Sequence, residues 1–171
     1  DGTYDFPDGT RAECQISCIA CKTAGTGIAT ELCGFSYAPV DAEKMRRECP
    51  EMVVYESASE EQMLKKYLAY VRDKQVDIIE GWNQLNFDMR FIYHRCRRYN
   101  ISLSSIGKFD IYEPRLKSRT LSTAGAGHHE FHFFDIPGVF QMDLYCIVRR
   151  DFKLENYKLD SVAKEWLKKE K

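Results

Sequence analysis

The sequence predicts an α/β domain in which a mixed sheet is flanked by helices. Three of residues 76–79 are apolar and β-branched, which is typical of a short buried strand. Gly81 permits a sharp turn directly after it. Apolar residues then recur at helical spacing, at Met89, Ile92, Cys96 and Tyr99. A strand that leads at once into a helix is typical of α/β folds.

The N-terminal part predicts three further strands. Residues 13–22 and 31–37 have strand character and are joined by a short Gly-containing segment, which predicts a hairpin. Residues 39–50 are predicted to be a charged connection. Residues 52–55 are predicted to form a third short strand.

A helix is predicted to follow this third strand. Ser57 and Glu60 have the spacing of a capping box, in which side chains satisfy backbone N–H groups at the helix start. One apolar stripe follows, made of Met63, Leu64, Tyr67, Leu68 and Val71. The helix leads into the strand at 76–79, so we expect a right-handed crossover between parallel strands.

The segment from residue 101 to residue 137 lacks helical periodicity. A Gly-rich turn signal at 124–127 predicts a β-hairpin at about 115–137. Three histidines in this segment have no carboxylate or cysteine at ligand spacing, which favours a solvated loop over a metal site. They are His128, His129 and His132.

The C-terminal part predicts a strand at 139–142 and two helices. Asp143 can cap a short helix that runs through Arg150. A final helix has its apolar stripe between Leu159 and Leu167. No repeat or linker divides the chain, so the sequence predicts one domain.

Composition excludes several classes of protein. The net charge of −1 over 171 residues lacks the basic character of a dedicated duplex binder, so any nucleic-acid contact should be local. No apolar run is long enough for a membrane span, and no secretory leader opens the chain. The seven cysteines are expected to be reduced inside a cell. Cys18 and Cys21 are interpreted as buried strand cysteines, not as a metal or redox pair.

Asp88 is the candidate functional residue. It is predicted to lie in the first turn of a helix that leaves the carboxyl edge of a strand, where ligands bind in open α/β sheets. A carboxylate there is a candidate metal or substrate ligand. It could also be a helix-start residue that the helix dipole stabilises, and position alone leaves both interpretations open.

Two stretches carry a family resemblance. Residues 77–95, DIIEGWNQLNFDMRFIYHR, resemble the second motif of the 3′–5′ proofreading exonuclease domain of family B DNA polymerases. Residues 138–167 are similar to the segment that follows the β-hairpin of that domain, in the delta-like or large-virus type. The resemblance implies a ribonuclease H-like (DnaQ-like exonuclease) mixed sheet with flanking helices and an inserted β-hairpin.

The resemblance also implies an activity. Domains of this family hydrolyse mispaired 3′ ends with two Mg²⁺ (or Mn²⁺) ions held by carboxylates, and the rest of the parent chain synthesises DNA. Asp88 carries over as a catalytic residue and metal ligand. Asn83 and Phe87 carry over as substrate-binding positions near the scissile end. The hairpin is implied to help part the primer from the template.

The implied partners follow from that activity. They are primer–template DNA with its single-stranded 3′ end, the remaining polymerase domains of the same chain, and a sliding clamp or other replication proteins. The implied location is intracellular, in the nucleus for a eukaryotic source or in the host cell for a virus.

Two of the family's acidic motifs are not found in the sequence. The Asp-x-Glu formed by Asp41 and Glu43 lies in a charged connection, so we reject it as the first motif. The acidic strand is expected before residue 1, and the third motif beyond Lys171. Asp143 matches a non-ligand position of the family, and Asp160 is expected to face out of a helix.

Residues 1–171 are therefore expected to be a single, partial exonuclease domain. One carboxylate cannot hold two metal ions, so we expect the isolated chain to lack exonuclease activity. A second hypothesis is a catalytically inactive, exonuclease-like scaffold that binds DNA or holds the polymerase together. A third is a free-standing nuclease, which the similarity at 138–167 makes less favourable.

Overall fold

A computed structural model of the chain describes residues 6–25, 27–37, 41–109, 112–123 and 127–168. The strands within these ranges are β1 (Cys18–Gly25), β2 (Ile28–Tyr37), β3 (Met52–Ser57), β4 (Ile78–Gly81), β5 (Leu116–Thr123), β6 (Gly127–Phe134) and β7 (Phe140–Asp143). The helices are α1 (Ala42–Glu48), α2 (Glu60–Asp73), α3 (Asp88–Arg98), α4 (Leu144–Asp151) and α5 (Leu159–Leu167). The predicted α/β class is confirmed.

The first three strands form one sheet in the order β1-β2-β3. β1 and β2 pair antiparallel, as the predicted hairpin requires, and β2 pairs with β3 in parallel. β1 begins at Cys18 and not at residue 13. A contact with a distant residue explains the later start, since the backbone N–H of Ile16 donates to the Glu60 carboxylate at 2.7 Å and not to a neighbouring strand.

The remaining described strands form two separate pairs. β4 pairs with β7 in parallel, with Gly81 opposite Asp143 where both strands end. β5 and β6 pair antiparallel, with Leu116 opposite Phe134, over the region where the sequence predicts a hairpin. The turn signal at 124–126 lies outside the described residues. The sequence predicts a single mixed sheet, but the described strands form three separate hydrogen-bonded sheets.

The predicted charged connection contains a helix that the sequence interpretation missed. Asp41 caps α1, since its Oδ1 accepts a hydrogen bond from the backbone N–H of Lys44 at 2.9 Å. The helix has only seven residues and buries Ala42 alone, so it lacks the apolar stripe by which longer helices are recognised.

α2 forms as predicted, but with a different cap. Ser59, not Ser57, is the N-cap and accepts from the backbone N–H of Gln62 at 3.3 Å. The Gln62 side chain reaches back to the backbone N–H of Ala58 at 3.2 Å. Ser59 and Gln62 therefore make the polar contacts at this helix start, whereas the Glu60 carboxylate pairs with Arg95.

The core lies where α2 packs against β2 and β3 and where α3 packs against α2 and β6. Its most buried side chains include Cys33, Phe35, Met63, Leu64, Leu68, Met89 and Cys96. Burial of each such Leu or Met side chain contributes about 1.5–3 kcal/mol. No helix in the described ranges has the length and apolar character to cross a membrane.

Candidate active site

An open groove lies between the three-stranded sheet and the β4–β7 pair. It has a volume of about 1010 Å³ and is lined by consecutive residues of both β1 and β4, together with side chains of α2 and α3. Consecutive residues of a strand can line a groove only where the edge of the strand faces it. Among the described strands, β1 pairs only with β2 and β4 only with β7. The groove therefore lies between two strand edges.

Asp88 lies at one end of this groove. It is the first residue of α3, which begins after Phe87 without a side-chain cap, and this confirms the predicted helix start. Its carboxylate is exposed to solvent and contributes to the lining of the groove. Partial removal of the Asp88 carboxylate from water raises its pKa, and the negative charge of Asp143 raises it further. A hydrogen bond from the backbone N–H of Asp88 lowers the pKa, but the net shift is upward.

The turn between β4 and α3 holds Asn83 in an unusual conformation. Asn83 has a φ of 58°, in the left-handed region, which Asn tolerates better than most residues. Its carbonyl accepts from the backbone N–H of Phe87 at 3.1 Å, which closes the turn. The Gln84 side chain packs so close to Gly81 that a Cβ there would lie 3.1 Å from the Gln84 Cβ. A Cβ at position 81 would thus require the Gln84 side chain to shift by a few tenths of an ångström.

Two side chains connect this turn to β7. The Gln84 amide is buried and donates to the carbonyl of Ile79 at 2.9 Å and to that of Met142 at 3.0 Å. The Asp143 carboxylate, 4% exposed, accepts from the backbone N–H groups of Asn83 at 2.9 Å and Leu85 at 3.1 Å. The ends of β4 and β7 thus share a hydrogen-bonded frame.

Phe87 packs against the segment that precedes β1. Its ring meets that of Phe6 edge-on at 5.3 Å between centroids, and that of Phe91 at 5.9 Å. Phe87 and Pro7 both line the groove. The aromatic side chain therefore forms part of the wall next to Asp88.

Asn86 connects the turn to the β5–β6 pair. Its Oδ1 accepts from the backbone N–H of His132 on β6 at 3.3 Å. Behind it, the rings of Tyr93 on α3 and Phe134 on β6 meet at 5.2 Å. The hairpin strands therefore contact the helix that carries Asp88.

The structure brings together some of the candidate residues that the sequence indicates and separates others. Asn83 and Phe87 lie on the turn that leads into Asp88, and of these three residues Phe87 and Asp88 line the groove. Asp41 caps the exposed helix α1, outside the groove lining, and Asp160 is exposed on α5.

The other candidate ligands give no metal site among the described residues. The side chains of His128 and His129 lie outside the described part, and no group of three or more His, Cys, Asp or Glu side chains within it could hold a metal ion. Cys18 is exposed and Cys21 half-buried, so the expectation of buried strand cysteines was wrong for Cys18, which lies on the groove edge of β1.

The described residues fit a two-metal site only in part. Hard divalent cations require several oxygen ligands each, and the exposed acidic side chains that line the groove are those of Asp88 and Glu80. The Asp143 carboxylate is already engaged with backbone N–H groups and is buried, so it does not add to the ligand set. The described residues therefore provide only part of the ligand set that two metal ions require.

Sequence interpretation missed the buried ion pair between Glu60 and Arg95. Arg95 belongs to the motif stretch, but no local signal links it to a glutamate 35 positions earlier. The pair joins the start of α2 to α3, and Arg95 Nη1 also donates to the carbonyl of Arg11 at 2.7 Å. It thereby fixes the segment that leads into β1.

The fold and the site define an α/β domain with a carboxylate at a strand-to-helix turn beside an open groove. The family model described as DNA polymerase family B, exonuclease domain, matches residues 1–162. The chain belongs to this family, which confirms the resemblance seen in the sequence.

Individual relatives agree with the family. The chain is 31% identical over 119 residues to the DNA polymerase delta catalytic subunit of Schizosaccharomyces pombe, covering 69% of the chain and 11% of the relative. It is 34% identical over 115 residues to the DNA polymerase of red sea bream iridovirus, covering 67% and 12%. It is 30% identical over 180 residues to the DNA polymerase catalytic subunit of human herpesvirus 8 type P, covering 99% and 17%. The chain thus spans less than a fifth of each of these relatives.

Proposed function

We propose that the chain is part of the 3′–5′ proofreading exonuclease domain of a family B DNA polymerase, whose other domains carry out template-directed synthesis. The observation that carries this proposal is the position of Asp88. It begins a helix at the carboxyl end of a parallel strand, beside an open groove, within the motif that resembles the family's second exonuclease motif. Its substrate would be the single-stranded 3′ end of a mispaired primer.

The groove supports a place for the acidic strand that the family resemblance implies. The unpaired edges of β1 and β4 face it, and a strand inserted there would gain hydrogen-bond partners on both sides. Such a strand, from outside residues 1–171, would bring the Asp-x-Glu carboxylates to the edge where Asp88 lies. With the third motif they would complete a site for two Mg²⁺ or Mn²⁺ ions, and the fold would then be ribonuclease H-like.

The groups of this chain would then have distinct roles. Asp88 would be one of the oxygen ligands that hold the ions, and the ions would supply water activation and charge stabilisation. Asn83 and Phe87, on the same turn, would contact the terminal nucleotide. The β5–β6 pair, held to α3 by Asn86 and Tyr93, would help to separate the primer end from the template.

The proposed partners are primer–template DNA, the other polymerase domains and a sliding clamp or other replication proteins. The relatives named above come from eukaryotes and viruses. The proposed location is therefore the nucleus or a virus-infected host cell.

A scaffold role is the second candidate, because the described residues that line the groove supply only two exposed acidic side chains, Glu80 and Asp88, and no group of three possible ligands. The test is degradation of a mispaired 3′ end by the complete parent polymerase in Mg²⁺ or Mn²⁺, with a chelator as control. Metal-dependent removal of the mispair, faster than removal of a paired end, is the expected result. A parent that synthesises DNA but never removes the mispair would make the domain a scaffold.

A further inference from the structure

The Asp143 carboxylate is central to the turn that precedes Asp88. It is buried, with 4% exposure, and accepts three backbone hydrogen bonds. Oδ1 accepts from the N–H of Asn83 at 2.9 Å and from that of Tyr145 at 3.0 Å, and Oδ2 accepts from the N–H of Leu85 at 3.1 Å. One side chain thus serves two elements, since Tyr145 belongs to α4 and the other two donors belong to the turn.

Gln84 and Asn86 also hold this turn through their side chains, but Asp143 is the side chain that binds the backbone N–H groups of Asn83 and Leu85. Asn83 is in the left-handed region, with a φ of 58°, and α3 starts without a side-chain cap. Conformations of this kind persist only where surrounding contacts impose them. Hydrogen bonds from backbone N–H groups to a buried carboxylate are among the stronger ones in proteins. Asp143 therefore supplies two of the contacts that impose this conformation, to the N–H groups of Asn83 and Leu85.

The position of Asp143 makes it suited to fix the site. It lies opposite Gly81 at the end of the β4–β7 pair, so both strands end at the turn. The Gln84 amide spans the same pair through the carbonyls of Ile79 and Met142. Because Asp143 and the carbonyl of Met142 on β7 bind this turn, Asp88, the first residue of α3, has a defined position relative to the groove.

We propose that Asp143 is a positioning residue for the candidate active site, beyond its role as the cap of α4. It fixes the 83–87 turn, and through that turn it sets where Asn83 and Asp88 stand. The effect on exonuclease activity rests on the proposed function above, whereas the effect on the turn does not.

The test is hydrogen–deuterium exchange of the complete parent polymerase, read on peptides that cover residues 82–87 and 144–148. Asp143→Asn keeps the shape of the side chain but loses the charge and one acceptor oxygen, and Asp143→Ala loses both acceptors. Asp41→Ala is the matched control, because Asp41 caps α1 through a similar contact far along the chain from the turn. DNA synthesis measured in parallel verifies that each variant is folded.

The expected result is exchange at 82–87 that is faster by about tenfold in Asp143→Asn, with no change there in the control. Faster exchange confined to 144–148 would mean that Asp143 only caps α4, and it would overturn the inference. The exchange result stands whether or not the parent degrades DNA. If the parent proofreads, kcat for 3′-end removal should fall in Asp143→Asn by about tenfold or more while synthesis persists. An unchanged kcat despite a loosened turn would overturn the positioning role.

Discussion

Arg95 and Glu60 form a buried, two-point ion pair that joins α3 to the start of α2. Arg95 donates from Nε at 2.8 Å and from Nη2 at 2.5 Å, and both side chains are almost wholly removed from solvent. Tyr99 and the backbone N–H of Ile16 also donate to the Glu60 carboxylate, at 2.7 Å each. The pair therefore ties three separate parts of the chain to one point.

Breaking this pair from one side should destabilise the domain strongly. Arg95→Met leaves the Glu60 carboxylate buried without its main partner, so we expect a loss of about 3–5 kcal/mol in the free energy of unfolding. Urea unfolding of the 171-residue chain measures it. Glu61→Gln, next to Glu60 but in a partly exposed pair with Lys65, is the control and should change stability by less than about 0.5 kcal/mol. Equal effects of the two variants would contradict the account.

The same pair gives a pH dependence with a definite sign. Burial alone would raise the pKa of Glu60, but hydrogen bonds from Arg95, Ile16 and Tyr99 lower it below its ordinary value of 4.5. The ionised form is therefore favoured in the folded state. Its stabilisation is complete above pH 4.5 and is lost as the pH falls through the lower pKa of the folded state. Unfolding free energies measured between neutral and acid pH should show the advantage of wild type over Glu60→Gln shrinking below pH 4.5. A constant difference across that range would rule out this contribution.

The two serines near the start of α2 should respond differently to removal of the hydroxyl. Ser59 caps the helix, so Ser59→Ala should cost about 1 kcal/mol. The Ser57 Oγ is buried and has no hydrogen-bond partner in the described part of the chain, so Ser57→Ala should be neutral or slightly stabilising. Thermal unfolding of both variants measures the contrast. A larger loss of stability in Ser57→Ala than in Ser59→Ala would mean that Ser57 caps α2, as the sequence alone predicts.

Local signals in the sequence predicted much of the secondary structure. The start of α3 at Asp88 and the capping of α4 by Asp143 follow from spacing and residue type near each site. The interactions that fix the site do not, because they join distant residues. Asp143 and Asn83 are 60 positions apart, and Glu60 and Arg95 are 35 apart. The spacing of residues near the start of α2 also could not show that Glu60 pairs with the distant Arg95 instead of capping the helix.

Asn83 allows its backbone role to be separated from a role of its side chain. Asn83→Gly keeps the left-handed conformation and should be at least as stable as wild type. Asn83→Ala should lower the free energy of unfolding by about 1 kcal/mol relative to Asn83→Gly. If the Asn83 side chain contacts the terminal nucleotide, both variants should raise KM for 3′-end removal by the parent polymerase. Full activity in Asn83→Gly would confine the residue to its backbone role.

The isolated chain of 171 residues should not degrade single-stranded DNA in Mg²⁺ or Mn²⁺. Among the described residues the exposed acidic side chains that line the groove are Glu80 and Asp88, which belong to no group of three possible ligands, and two hard cations need more oxygen ligands than that. Incubation of the purified chain with a labelled oligonucleotide checks this. Metal-dependent shortening of the oligonucleotide, with no contaminating nuclease, would show that the ligand set is already complete.

The most direct test of the central claim compares Asp88→Ala with wild type in the parent polymerase, over a range of Mg²⁺ concentrations. The quantity measured is the rate of mispaired 3′-end removal divided by the rate of DNA synthesis. Glu61→Ala serves as the control, because Glu61 is also an acidic residue in the first turn of a helix but lies outside the groove lining. If Asp88 is a metal ligand of a proofreading exonuclease, the ratio should fall at least about a hundredfold in Asp88→Ala and stay unchanged in the control. An active wild type with an equal ratio in Asp88→Ala would contradict the account, and Asp88 would then be only a helix-start residue.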